Sequence, residues 1–250
     1  MSRWAVLLIS LFASSNVSAK ENMDTRKILI IADKSRGRVD TSLEYTIKVD
    51  CSGSEGTKGI QRTFKVRSWD KDATATTLEP PERQGEIVLM NDRSIWQITP
   101  TSKRPISISA SERTGGLAAV GDILATSFAE AYEGTIAKEE TISGELAYRI
   151  ELTAKDNKTS YPSAVSWVGK KSGLTIKAEF LSPSKKKVKT VEFTYMHSVS
   201  VNGAKIPFIS GSTLTDEIGT RSTCLMTYEV PRNVETRPAE FDLRVIMESR

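Results

Sequence analysis

Apolar and polar side chains alternate strictly in the stretch that decides the fold, Leu43-Glu44-Tyr45-Thr46-Ile47-Lys48-Val49-Asp50. Successive side chains of a β-strand point to opposite faces, so this period of two predicts a strand with one apolar and one polar face. A second run of this kind, Ile60 to Trp69, follows a predicted turn at Ser52 to Gly56 and carries Phe64 and Val66 on its apolar face. The two stretches are therefore predicted to pair as a long antiparallel hairpin.

Two segments show the spacing of an amphipathic helix instead. In the segment Asn22 to Arg36, apolar residues recur at helical intervals and Gly37 follows as a stop signal. In the segment Leu117 to Tyr132, apolar residues recur at intervals of three and four. The helical pattern is interrupted near Gly121, which favours two short helices.

The rest of the chain is mainly a succession of short strands separated by turns. They are predicted at residues 73–78, 86–90, 94–99, 104–109, 135–142, 146–154, 163–168, 174–181, 187–198, 205–212 and 222–230. Sequential hairpins with so few helices predict a mainly β (α+β) fold with a single, strongly curved antiparallel sheet. The N-terminal helix and the central helical insert are the predicted covers of its concave face, because both carry apolar stripes.

The first 19 residues predict the compartment. A short positive start at Arg3 precedes ten apolar residues, Trp4 to Ala13, and the small residues Val17 and Ala19 come before Lys20. This pattern is typical of a secretory signal peptide, and ten apolar residues are too few to span a bilayer. Residues 1–19 are thus predicted to be cleaved after Ala19, which leaves residues 20–250 as one exported, periplasmic domain.

The chain has only two cysteines, Cys51 and Cys224. An oxidising compartment would allow them to pair, and a bridge over that separation would stabilise the fold by about 5 kcal/mol on the chain-entropy model. The alternative is two buried, unpaired thiols in different strands.

Composition argues against several functional classes. The formal charge of +4 is spread along a chain in which basic and acidic residues alternate, so a nucleic-acid partner is not expected. His197 is the only histidine, which disfavours a zinc site of several histidines and a Ser-His-Asp enzyme. Adjacent carboxylates such as Glu139 and Glu140 point to opposite faces of a strand. We therefore expect no enzyme activity, metal or cofactor.

The central part of the chain resembles the outer-membrane lipoprotein-sorting family, related to the periplasmic lipoprotein carrier LolA. An ordered set of residues between about 80 and 195 carries the resemblance: Trp96, Pro100, Arg104-Pro105-Ile106, Arg113, Gly115-Gly116, Asp122-Ile123, Phe128-Ala129-Glu130-Ala131-Tyr132, Gly144, Glu151-Leu152-Thr153-Ala154-Lys155, Tyr161-Pro162, Trp167-Val168 and Lys177-Ala178-Glu179-Phe180. The resemblance implies an incomplete antiparallel β-barrel with helices closing its open side, and a cavity that holds lipid or the acyl chains of lipoproteins.

A carrier of this kind needs apolar side chains that point into a cavity without filling it. The candidates are Leu43, Tyr45, Ile47, Phe64, Val66, Leu89, Trp96, Ile98, Leu117, Ile123, Leu124 and Phe128. An ordinary packed core would show the same pattern. Arg104 and Arg113 could bind an anionic headgroup, or they could be solvated or paired with Asp122 or Glu130.

Two functions therefore follow from the sequence. The first is a periplasmic carrier that transfers its cargo from an inner-membrane exporter to an outer-membrane acceptor. The alternative is an envelope sensor or adaptor of the same fold that binds a protein partner, such as an inner-membrane transporter, and whose interior is filled by its own side chains.

Overall fold

The structure, a computed structural model, describes residues 13–52, 59–102, 104–109, 113–115, 118–218 and 222–249. Its helices are α1 (Ala13–Lys34), α2 (Val120–Ile123), α3 (Phe128–Ala131) and α4 (Leu243–Glu248), with 3-10 turns at Pro81–Arg83 and Pro238–Phe241. Its strands in chain order are β1 (Leu43–Cys51), β2 (Ile60–Trp69), β3 (Asp72–Glu79), β4 (Ile87–Asn91), β5 (Ser94–Ile98), β6 (Ile106–Ile108), β7 (Arg113–Gly115), β8 (Ala118–Ala119), β9 (Tyr132–Ile142), β10 (Glu145–Ala154), β11 (Ser163–Gly169), β12 (Thr175–Leu181), β13 (Lys187–Thr194), β14 (His197–Val201), β15 (Ala204–Phe208), β16 (Gly211–Asp216), β17 (Thr223–Tyr228) and β18 (Arg232–Asn233).

Fourteen of these strands form one antiparallel sheet. Its order is β6-β5-β4-β3-β2-β1-β17-β16-β13-β12-β11-β10-β9, and β18 pairs with β1 beside β17. Strands β6 and β9 stand at opposite edges, so the sheet is not closed into a barrel. The predicted mainly β fold with an open antiparallel sheet is confirmed.

The hairpin predicted from the alternating stretch is confirmed in register. Strand β1 pairs with β2 so that Ile47 lies opposite Phe64 and Tyr45 opposite Val66. On its other side β1 pairs with β17, which joins the two halves of the chain. A disulfide links Cys51 of β1 to Cys224 of β17, directly opposite in that register.

The predicted strands at 187–198 and 205–212 are each broken in the structure. Strands β13 and β16 stay in the main sheet, while β14 and β15 form a separate hairpin between them. The nitrogen Nε2 of His197 at the start of this hairpin lies 2.8 Å from the carbonyl oxygen of Tyr228. The only histidine thus has a structural contact at the base of the hairpin.

The covers of the concave face are the two helical segments that the sequence predicted, although α1 begins at Ala13 rather than Asn22 and ends at Lys34 rather than Arg36. Helix α1 packs on β9, where Gly134 permits the close approach: a Cβ on it would lie 2.9 Å from Cγ2 of Thr25. The central insert forms two short helices, α2 and α3, but Gly121 lies within α2 and the break between the helices falls at residues 124–127. Their apolar residues Ile123 and Phe128 are buried in the main core, which lies between these covers and the sheet.

A third cover, at the C-terminal end, lies on the opposite face of the sheet. Phe241 and Ile246 pack there against apolar residues of β4 and β5 in a separate cluster. Each of these two strands therefore contributes to cores on both faces, because Val88 and Met90 of β4 and Ile95 of β5 belong to the main core instead.

Candidate functional site

A cavity lies between the central insert and one half of the concave face. We call residues 118–131, which include α2 and α3, the lid. The cavity is bounded by the lid, by β12, β13, β16 and β17, and by the segment that follows α1. Its space is about 690 Å³ with the open mouth included. The inner space behind the mouth admits only a few water molecules, so the lining side chains nearly fill the interior although one side is open.

The cavity wall is largely apolar and aromatic. Its lining residues are Arg36, Ala119, Gly121, Asp122, Ala125, Thr126, Phe128, Tyr132, Thr159, Ser160, Tyr161, Phe180, Lys189, Val191, Phe193, Ile209, Ser212, Leu214 and Tyr228. Burial raises the pKa of the Tyr132 and Tyr228 phenols, so both stay protonated and neutral at physiological pH. The charge in the wall therefore comes from three residues, Arg36, Asp122 and Lys189.

Lys189 is a cation in the middle of the sheet, and only 1% of its surface is exposed. Its Nζ donates to both carboxylate oxygens of Asp122, at 2.7 and 2.9 Å, and lies 4.7 Å from the ring centre of Phe180. Burial alone would lower the pKa of Lys189, but the charge of Asp122 raises it above the ordinary value. This ion pair ties β13 to α2 of the lid.

Arg36 is the second buried cation, directly after α1, and is 5% exposed. Its guanidinium donates to Asp33 Oδ1 and to the carbonyl oxygen of Thr126, and its Cζ lies 4.2 Å from the ring centre of Phe128. The other oxygen of Asp33 accepts from the Ser127 hydroxyl at 2.7 Å and from the Ala129 amide at 3.0 Å. Asp33 and Arg36 together therefore hold the second half of the lid.

Arg38 adds a third attachment for the lid. Its side chain donates to the carbonyl oxygens of Leu124 and Ala125, the two residues that follow α2. Burial lowers the pKa of Arg38 to about 10, so it remains charged at neutral pH. The lid is thus held by ion pairs and hydrogen bonds at several points along its length.

The predicted cavity residues are distributed over three places. Phe128 lines the cavity. Phe64, Ile123 and Leu124 surround a second space of about 160 Å³ between the lid and the first half of the sheet, which has no room for a water molecule. The remaining strand residues of the concave face, Leu43, Tyr45, Ile47 and Val66, pack in the core, where Tyr45 lies 5.2 Å from Phe208 between ring centres.

Leu89, Trp96 and Ile98 do not line the cavity, because they face the outer side of the sheet and pack in the cluster of Phe241. Leu117 and the side chain of Arg113 lie outside the described residues. Arg104 is exposed. The partners that the sequence suggested for these arginines are used otherwise: Asp122 binds Lys189, and Glu130 binds Arg26 at 2.8 Å.

Sequence reasoning missed most of the cavity wall. The sequence does contain a signal for Lys189. This residue is spaced by two from Val191, which is spaced by two from Phe193, so Lys189 lies on the apolar face of its strand. Arg36 gave no such signal, because a basic residue near the end of a helix is usually solvated and favoured by the helix dipole.

Within the described ranges, no group of three or more His, Cys, Asp and Glu side chains could hold a metal ion. Of the helices described there, none is both long and apolar enough to cross a membrane.

Comparison with known proteins places the fold. A family model described as “Uncharacterized protein”-like matches residues 70–247, more than half of the chain. The chain belongs to this family. No curated protein matches it.

Solved structures of similar fold share between 19 and 24% of their residues with this chain. A LolA superfamily protein from Nitrosomonas europaea has a TM-score of 0.76 at 24% identity, over 88% of this chain and 97% of the other. A DUF1329 family protein from Desulfovibrio piger has a TM-score of 0.71 at 19% identity, over 90% and 98%. An outer membrane lipoprotein-sorting protein domain from Vibrio parahaemolyticus has 0.70 at 19%, over 88% and 97%. The resemblance seen in the sequence is confirmed at the level of the fold.

Proposed function

We propose that this family member is a periplasmic, non-enzymatic carrier. It binds a lipid, or the acyl chains of lipoproteins, in the lid cavity and passes them towards the outer membrane. Residues 1–19 are the signal peptide in this proposal, and residues 20–250 are the exported domain. An inner-membrane exporter would load the carrier and an outer-membrane acceptor would unload it.

The observation that carries this proposal is the cavity between the lid and the open sheet. Aromatic and aliphatic side chains such as Phe128, Phe180 and Leu214 form its wall, and one side is open. Burying an acyl chain against such a wall is favourable by about 0.8 kcal/mol for each methylene group. The similar domain from Vibrio parahaemolyticus is described as an outer membrane lipoprotein-sorting protein, which agrees with a cargo of this class.

The inner space is too small for a long acyl chain in the conformation described, so loading requires the lid to move. The contacts that hold the lid suit this requirement. Asp33, Arg38 and Lys189 hold it through hydrogen bonds and ion pairs that water can replace when the lid opens. Residues Ala119, Gly121 and Ala125 add only small apolar side chains, or none, to the cavity wall.

The test is the uptake of a fluorescent fatty acid by delipidated protein, with two matched valine variants. Val191 lines the cavity, whereas Val66 is fully buried in the packed half of the same concave face. The larger side chain in Val191→Phe fills the inner space, so a folded variant with saturable uptake lost is expected. Val66→Phe has no such space to enter and is expected to destabilise the fold by about 1–3 kcal/mol. Absence of saturable uptake by the wild type would refute the carrier.

One observation favours the second function, an envelope sensor or adaptor. An adaptor would have an interior filled by its own side chains, and little of the inner space of the cavity is free. Native mass spectrometry of protein from a periplasmic extract separates the two readings. A bound lipid or acylated protein supports the carrier. A stable complex with an envelope protein and no lipid, even after incubation with envelope lipids, supports the adaptor.

A further inference from the structure

The buried charges around the cavity are unevenly satisfied. Asp122 accepts two bonds from Lys189 and a third, at 2.8 Å, from the Ala119 amide. Asp33 accepts from Arg36, from the Ser127 hydroxyl and from the Ala129 amide. Both carboxylates are therefore well supplied with donors.

The guanidinium of Arg36 is not satisfied in the same way. Its Nε is buried and has no hydrogen-bond partner, although the residue lines the cavity. A buried donor without an acceptor loses its hydration without compensation. The site thus lacks a hydrogen-bond acceptor rather than a donor.

The charged residues of the cavity wall point in the same direction. Asp122, the carboxylate among the lining residues, is bound by Lys189. Arg36 is paired with Asp33, which does not itself line the cavity. Arg36 therefore has no carboxylate partner among the lining residues.

We propose that the cavity binds a long-chain carboxylate, a fatty acid, with its carboxylate on Arg36 and its acyl chain along the wall formed with the lid. The inference rests on the carrier function and names the class of its cargo. A carboxylate oxygen supplies the acceptor that Nε lacks, in a charge-assisted hydrogen bond. The chain is apolar, as Phe128, Phe193 and Val191 of the wall require.

A comparison of headgroups tests the proposal. Laurate and dodecanol have the same chain length, and only laurate carries a charge. We expect the delipidated protein to bind laurate tighter than dodecanol by on the order of 10- to 100-fold, measured by displacement of a neutral fluorescent alkyl probe. In Arg36→Met the preference for laurate over dodecanol should disappear.

A matched control is present in the chain. Arg62 also has a buried Nε without a hydrogen-bond partner, but it lies on β2 and does not line the cavity. Arg62→Met should keep the preference of the wild type. Circular dichroism establishes whether each variant is folded. If Arg36→Met does not fold, the preference of the wild type for laurate over dodecanol by itself decides whether the headgroup assignment stands.

The outcomes separate this inference from the function on which it rests. Equal binding of laurate and dodecanol by the wild type, or an intact preference in folded Arg36→Met, overturns the headgroup assignment and leaves the carrier in place. Uptake of phosphatidylglycerol from vesicles in preference to laurate also overturns it, in favour of a phosphate headgroup. Failure of laurate, dodecanol and vesicle lipid alike to bind refutes the carrier and the inference with it.

Discussion

The ion pair between Lys189 and Asp122 gives the sharpest prediction for stability. Asp122→Asn preserves the shape of the side chain but removes its charge, so the Lys189 ammonium is left buried without a counter-ion. The side chain of Lys189 is 2% exposed and that of Asp122 is 15% exposed, so little water can take the place of the carboxylate. Removing one partner of a buried pair lowers the free energy of unfolding by about 3–5 kcal/mol.

Urea denaturation followed by circular dichroism measures this loss. The midpoint should fall while the slope stays unchanged, because the surface exposed on unfolding is the same. In thermal unfolding the loss corresponds to about 6–20 °C for a domain of this size. Asp92→Asn is the matched control, since Asp92 forms a similar pair with Lys71 at the exposed surface. No measurable change is expected there.

A double variant shows whether the loss comes from the pair. Lys189→Met removes the buried charge, so adding it to Asp122→Asn should restore much of the lost stability. Two results would refute the reasoning. One is an Asp122→Asn protein within about 0.5 kcal/mol of the wild type, and the other is a double variant whose loss equals the sum of the single losses.

The pH dependence provides a further check on the same pair. The pKa of Lys189 is raised in the folded protein above the value of 10.5 that applies without the fold. The stability that the pair contributes is therefore fully present below that pH and is lost as the pH rises through the higher, folded pKa. In Asp122→Asn burial lowers the folded pKa of Lys189, because the opposing carboxylate is gone. The difference in stability between wild type and variant should therefore begin to shrink below pH 10.5, as the variant's buried Lys189 loses its proton, and shrink further as the pH rises through the folded pKa of the wild type.

Three other changes have defined outcomes. Replacing Cys51 and Cys224 together by serine removes a link between residues 173 apart and should lower the free energy of unfolding by up to about 5 kcal/mol, with no further effect of reductant in urea titrations. Phe241→Ala should cost about 3–5 kcal/mol in the same assay while fatty-acid uptake by the folded protein persists; lost uptake would contradict its place on the outer face. Hydrogen bonds from Arg232 lower the pKa of Glu44 in the folded protein. The contribution of Glu44 to the free energy of unfolding is therefore present above pH 4.5 and lost as the pH falls through its folded pKa, so Glu44→Gln should show a shallower loss of stability in acid.

The sheet could be predicted where only one of its faces is apolar. In β1 the polar residues Glu44, Thr46 and Lys48 alternate with a buried row, so the period of two identified the strand and its inner face together. In β4 the period fails as a guide, because Val88 and Leu89 are both buried, one on each face. The sequence prediction therefore placed Leu89 in the cavity, whereas the C-terminal segment covers it from outside.

The position of the cavity could not be predicted from periodicity, because it depends on the sizes of side chains on elements far apart in the chain. In the first half of the sheet, Phe64 and the lid residues Ile123 and Leu124 approach until no room for water remains between them. In the second half, Ser212 of the sheet faces a lid that contributes Gly121 and Ala125, and space remains. An alternating pattern records whether a side chain faces inward, but it does not record whether its partner fills the gap.

The same asymmetry explains why the buried charges lie where they do. A charged group inside a protein is tolerated when other groups supply its hydrogen bonds. The lid has such groups, because the ends of short helices leave backbone amides and carbonyls without partners inside the helix. The Ala119 and Ala129 amides donate to carboxylates, and the Thr126 carbonyl accepts from Arg36. The lid is thus both the cover of the cavity and the source of the polar groups that keep cations beside it. A ligand that enters there meets an apolar wall and a positive charge together, which is the combination that a fatty acid requires.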